Sequence, residues 1–135
     1  MKETKLSLVA ACALAAVGAA NAELVVVVNS KSSAASMTPA QVTDVYLGKD
    51  SSFAPIDLPE SAEQRAHFYD KVMGKTAAQV KTIWTRLVFT GKSVPPKEVN
   101  SSIEAVKQVG SNEKGMAYVD TSAVDASVKV VLKVQ

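Results

Sequence analysis

Four times along this chain a hydroxyl residue is followed three positions later by Gln or Glu: Thr38-x-x-Gln41, Ser61-x-x-Gln64, Thr76-x-x-Gln79 and Ser101-x-x-Glu104. At that spacing the Ser or Thr oxygen can take the third helical N–H, while the Gln or Glu side chain reaches back to the N–H of the cap, so each repeat predicts a helix start. Pro39 falls at the first helical position, where its missing N–H costs nothing. Gly48, Gly91 and Gly110 stand where the helices need left-handed stops. Val42, Val45 and Tyr46 supply the inner face of the first helix. Val80, Ile83, Trp84 and Leu87 follow a helical period in the third, and Ile103, Val106 and Val109 give the fourth a shorter stripe. Phe89 is off the face of its helix, so the helix is expected to end near Val88, with Phe89 packing back from the turn. Val94-Pro95-Pro96 then forbids regular helix and predicts a stiff extended connector.

Between these helices lie runs with strand character. Residues 23–29, ELVVVVN, are almost wholly β-branched, as in a strand covered on both faces within a largely parallel sheet. Residues 30–37, SKSSAASM, have no hydrophobic period and read as the loop at the carboxyl end of that strand, which is the ligand side of an open α/β sheet. A second short strand follows Phe53, and residues 115–119, GMAYV, form another. In residues 127–134, Val128, Val130, Leu132 and Val134 alternate with Lys129, Val131 and Lys133, predicting an edge strand with a solvated face. The expected order is β-α-β-α-α-α-β-β, an α/β domain without internal repeats.

The amino terminus has a separate character. Lys2 and Lys5 precede the apolar run LSLVAACALAAVGAA, which closes on Ala20-Asn21-Ala22. A basic start, a short apolar centre and a small-x-small end predict a secretory signal peptide over residues 1–22, with a soluble domain over residues 23–135 exported to the periplasm. Cys12 lies within that signal, in a context that only loosely resembles a lipoprotein site. The exported part then has no cysteine, which removes thiol catalysis, cysteine-ligated metal and disulfides together. With Lys2, Lys5 and Glu3 set aside, the 15 basic and 13 acidic side chains reduce to a balance of +1, which offers nothing to nucleic acid or an anionic membrane.

The chemistry concentrates between Phe53 and Met73. On a helical wheel from Ala62, the side chains of Ala62, Ala66, Tyr69 and Met73 lie together, Phe68 and Val72 extend the apolar arc, and Arg65 falls within it. A cation in the first turn of a helix, on its apolar side, requires an anion nearby. One reading is external: the Ser61 hydroxyl, the free N–H groups beside it and the Arg65 guanidinium converge on a small oxyanion, with Ser30, Ser32 and Ser33 closing over it. The other is internal: Arg65 pairs with Asp57 or another carboxylate. His67 is the single histidine and falls on the polar face. No nucleophile elbow, P-loop or dinucleotide fingerprint occurs, so neither an enzyme, a metal site nor a cofactor is expected.

The order of motifs resembles a known family. Val45-Tyr46-Leu47-Gly48-Lys49, the helix bearing Gln64-Arg65-Ala66-His67-Phe68-Tyr69, then Trp84-x-x-Leu87-x-Phe89-x-Gly91, Pro95-Pro96 and Gly115-Met116-Ala117-Tyr118-Val119 are similar to the small single-domain relatives of the periplasmic phosphate-binding subunit of ABC importers. The resemblance implies a type II periplasmic-binding-protein-like single lobe, a mixed sheet flanked by about four helices. It also implies a phosphate-like oxyanion as ligand. A membrane transporter or envelope protein is a further expected partner, and a homodimer an expected assembly. Where the larger proteins carry a Ser-Gly-Thr turn, this chain has Ala62-Glu63-Gln64, and it lacks their strand arginine, having Ala54-Pro55-Ile56-Asp57. The alternative expectation is an interaction module that keeps the fold without a ligand.

Overall fold

The computed structural model describes residues 23–135. The expected signal peptide, its boundary at residue 22 and Cys12 lie outside the described residues. The elements are β1 (Leu24–Asn29), α1 (Pro39–Tyr46), β2 (Ala54–Asp57), α2 (Glu63–Phe68), α3 (Ala77–Phe89), β3 (Lys97–Glu98), α4 (Ser102–Gly110), β4 (Gly115–Asp120) and β5 (Val128–Val134). A π-helical turn, Tyr69–Met73, continues α2, and a 3-10 turn, Thr121–Ala123, follows β4. Among the described residues five strands form one mixed sheet in the order β3-β2-β4-β1-β5, with four α-helices, so the expected α/β class holds.

Three of the four predicted caps form. The Thr38 and Thr76 boxes are complete in both directions, and the Ser101 oxygen accepts the Glu104 N–H at 3.2 Å. Ser61 is the exception. Ala62 holds the cap position of α2 without a side-chain bond, and Ser61 lies exposed in the preceding turn. Gly48 adopts φ 77°, and a Cβ there would fall 2.9 Å from Ser93 Oγ and 3.0 Å from the Trp84 ring, so the end of α1 needs glycine for both conformation and space.

Register decides which side chains enter the core. β1 is buried along its whole length as expected, but it runs antiparallel to both neighbours, β4 and β5, while β2 is parallel to β3 and β4. The alternation foreseen in β5 breaks midway. Val26 faces Leu132 and Val27 faces Val130, so Val131 is the extra residue of a bulge. The bulge reverses the pattern, leaving Val131 buried and Val130 exposed. Two helical expectations are also corrected. α3 runs through Phe89, whose side chain is 89% exposed rather than folded back, and Ile103 at the start of α4 is 67% exposed, because Ala105, Val106 and Val109 carry the inward face. The two-residue β3 follows the Pro95-Pro96 block and covers only Ile56 and Asp57 of β2.

Candidate functional site at the carboxyl edge of the sheet

The side chain at the end of β2 organises this region. Asp57 is 5% exposed, and its carboxylate accepts from the Tyr69 hydroxyl at 2.6 Å, the Leu58 N–H at 3.0 Å and the Tyr118 hydroxyl. A buried carboxylate is stable only when its oxygens are so occupied. Burial first, and then the Asp57 charge, push the ionisation of both Tyr69 and Tyr118 well above the ordinary phenolic range. Tyr46 shifts the same way for the same reasons, and its hydroxyl donates to the Ile56 carbonyl at 2.7 Å. Phe68 stacks on Tyr118 with ring centroids 4.2 Å apart and meets Tyr46 edge-on at 4.8 Å, so an aromatic layer seals the carboxylate from below.

Arg65 closes the group from the outside. Its Nη1 donates to the Leu58 carbonyl at 2.7 Å and to Glu98 Oε2 at 3.1 Å, and lies 3.9 Å from Asp57 Oδ2. The guanidinium carbon sits 5.3 Å from the Tyr69 ring centroid, an arrangement in which a cation meets the face of a ring. Burial opposes the charge, but Asp57 and the other neighbours outweigh it and raise the Arg65 pKa. Of the two sequence readings of Arg65, this is the geometry of the internal one: the demand for an anion is met within the fold, by Glu98 and Asp57. Glu98 could not be foreseen as the partner, because only the β2–β3 pairing carries it there.

The structure does not bring the other predicted residues to Arg65. β1 is antiparallel, so its carboxyl end lies beside the starts of β4 and β2, with Val28 opposite Met116 and Ala54 opposite Gly115. Ser30, Ser32 and Ser33 are therefore at the far end of the sheet from Ser61 and Arg65 and cannot close over them. Their loop is tied instead to the chain entering β5 and to β5 itself: the Ser30 N–H donates to the Ser127 carbonyl at 3.0 Å and Lys129 Nζ donates to the Ser32 carbonyl at 2.5 Å. The exposed His67 ring lies 2.8 Å from the terminal Gln135 carbonyl oxygen.

A crevice of about 330 Å³ does open at the carboxyl edge, between the chain leaving β2 and the start of α4. Leu58, Ala62, Gln64, Asn100, Ser101, Ser102, Ser122 and Asp120 line it. Gln64 Nε2 donates to Asp120 Oδ2 at 3.0 Å, and the Asp120 N–H donates to Ser102 Oγ at 3.0 Å. This is the edge at which open α/β sheets take ligands. The sequence marked Ser101 only as a cap. The contribution of Asn100 and Ser102 depends on the brief β3, which turns the chain back onto the sheet. Among the described residues, no His, Cys, Asp and Glu side chains gather as metal ligands, and no helix is long and apolar enough to cross a membrane.

No family model and no curated protein matches the chain. Solved structures do. A phosphate ABC transporter substrate-binding protein from Clostridium perfringens, described as putative and solved with bound phosphate, aligns over 82% of this chain and 44% of its own, at TM-score 0.67 and 19% identity. An ABC-type phosphate transport receptor from Vibrio cholerae aligns over 82% and 45%, at TM-score 0.62 and 21% identity. PstS from Borrelia burgdorferi aligns over 82% and 47%, at TM-score 0.63 and 9% identity. The chain has the α/β fold of these phosphate-binding and transport proteins, as the motif order implied. It spans less than half of their length.

Proposed function

We propose that this chain is an exported, non-enzymatic solute-binding-protein-like module that takes a small oxyanion of the phosphate type in the crevice at the carboxyl edge of its sheet. The observation that carries the reading is the meeting of donors there: Asn100 and Ser122 face the crevice where α4 begins, and Gln64 covers the Asp120 carboxylate. The first N–H groups of a helix have no intrahelical partner, and its dipole favours an anion. Ser102 Oγ already accepts from Asp120, so its proton is left to donate. Arg65, neutralised by Glu98, fixes the wall rather than presenting a full charge. A phosphate-bound solved structure of the same fold supports the ligand class.

Calorimetric titration with phosphate, sulfate and small carboxylates tests this reading. Heat with phosphate, lost on Ser102→Ala, is expected. Absence of heat and of any thermal shift at millimolar anion would reject it. The second reading, a module that meets an envelope or transporter protein without a ligand, is favoured by one specific observation: Ile103 stands 67% exposed at the margin of the crevice. Hydrodynamic mass with and without phosphate tests for a ligand-closed homodimer. A periplasmic location and cleavage after Ala22 predict that amino-terminal sequencing of the exported protein begins at Glu23.

A further inference from the structure

At the other end of the sheet, where β2 and β4 begin, a cleft of about 560 Å³ separates the start of β2 from the chain that leaves α3. Its size is that of a small-molecule site. Phe53, Pro55, Trp84 and Pro96 make its apolar lining, with Lys92 and Lys97 exposed at the rim. Trp84 is held in place by its indole N–H, which donates to the Tyr46 carbonyl at 2.9 Å. Asp50 is the one carboxylate in the lining, and its Oδ1 accepts both the Ser52 N–H at 2.9 Å and the Ser52 hydroxyl at 2.5 Å. These two bonds, the hydroxyl's first, hold it below the usual carboxylate range. Lys97 is bonded to the neutral Gln108 amide at 3.1 Å, and the Lys92 ammonium has no partner among the described residues. Two ammonium groups against this one carboxylate leave the lining with a net charge of +1.

An added peptide strand is a poor occupant. β3 leaves Ala54 and Pro55 uncovered on the outer edge of β2, but Pro55 has no N–H and the Ala54 N–H is already given to the Lys114 carbonyl at 2.8 Å. What the cleft offers is an apolar, ring-lined floor and two ammonium groups, the complement of a flat apolar body with one negative end. We propose that this cleft binds a small aryl carboxylate, with its ring against Phe53, Trp84 and Pro96 and its carboxylate between Lys92 and Lys97. The site is separate from the carboxyl-edge crevice and does not rest on the function proposed there.

Trp84 is the single tryptophan of the sequence, so the intrinsic emission of the purified protein reports on this cleft. Titration with benzoate should change that emission saturably, with a dissociation constant on the order of 0.1–1 mM for so small a ligand. Benzylamine, of the same shape and opposite charge, should leave it unchanged, as should inorganic phosphate. The double variant Lys92→Ser/Lys97→Ser alters exposed side chains only and should keep the wild-type circular dichroism while weakening benzoate about tenfold or more. The proposal is overturned if benzoate up to about 10 mM leaves the emission unmoved, if benzylamine matches it, or if the double variant binds as tightly as wild type. Competition between phosphate and benzoate would equally overturn it, by showing that the cleft selects charge without the ring.

Discussion

The Tyr69 hydroxyl donates to Asp57 Oδ2 at 2.6 Å, tying the π-helical continuation of α2 to the last residue of β2. With Tyr118 on the other oxygen, this bond makes a buried carboxylate the junction of β2, β4 and α2. Asp57→Asn keeps the shape but offers an N–H₂ group to hydroxyls that already donate. Bonds to charged acceptors are the stronger kind, so the variant should lose about 1.5–3 kcal/mol of stability in urea unfolding. A loss below about 0.5 kcal/mol, the range of ordinary surface changes, would show that the carboxylate is not what holds these elements together.

Arg65 and Glu98 should differ in cost although they share a bond. The Arg65 side chain is 13% exposed and serves the Leu58 carbonyl as well, whereas Glu98 is 56% exposed. Arg65→Met, which keeps the stem over Tyr69, should cost about 1–3 kcal/mol. Glu98→Gln should cost less than about 1 kcal/mol after solvent screening. Equal losses would mean that the exposed ion pair, rather than the buried carbonyl bond, is the stabilising contact. If Arg65→Met abolished phosphate binding at unchanged stability, the external reading of this arginine would return.

All three tyrosines of the chain are buried, and all have raised ionisation. Their protons are retained in the folded protein and lost by the unfolded chain near the ordinary phenolic pKa of about 10. The stability this contributes is complete below pH of about 10 and declines as pH rises further, by about 1.4 kcal/mol per unit for each tyrosine. Phenolate absorbance should therefore appear together with loss of circular dichroism. A tyrosine that ionised near pH 10 in the intact fold would contradict the Asp57 arrangement.

The helix starts offer an internal control. Thr76 accepts the Gln79 N–H at 3.1 Å in a complete capping box, while Ser61 caps nothing. Thr76→Ala should cost about 1 kcal/mol, and Ser61→Ala should fall within about 0.5 kcal/mol of wild type. Comparable losses would indicate that α2 begins at Ser61 in solution.

Much of the fold was legible because its signals are local. A Thr with Gln three residues on competes only with its own backbone, and so the starts of α1 and α3 could be read from the chain. Val42, Val45, Tyr46, Val80 and Trp84 are buried where helical spacing placed them. The same local logic failed at Ser61, where the chain leaving β2 is set by tertiary bonds: Arg65 pulls on the Leu58 carbonyl, and the helix begins a residue late. At Val131 a bulge dictated by pairing with β1 overrode a clean alternation.

The sequence by itself determined that this is an α/β chain, where three of the four described helices begin, where four of the five described strands lie, and that Arg65 needed an anion. Tertiary structure alone decided which anion. Strand direction is not written in a run such as LVVVVN, whose two faces are equally apolar, and the antiparallel placement of β1 sent Ser30, Ser32 and Ser33 to the far end of the sheet. Likewise, a two-residue β3 has no periodicity to read, yet its pairing with β2 brings Glu98 within 3.1 Å of Arg65. Local spacing could say that a charge was misplaced on its helix. Only the assembled sheet, by setting which strand ends share an edge, could say what answers it.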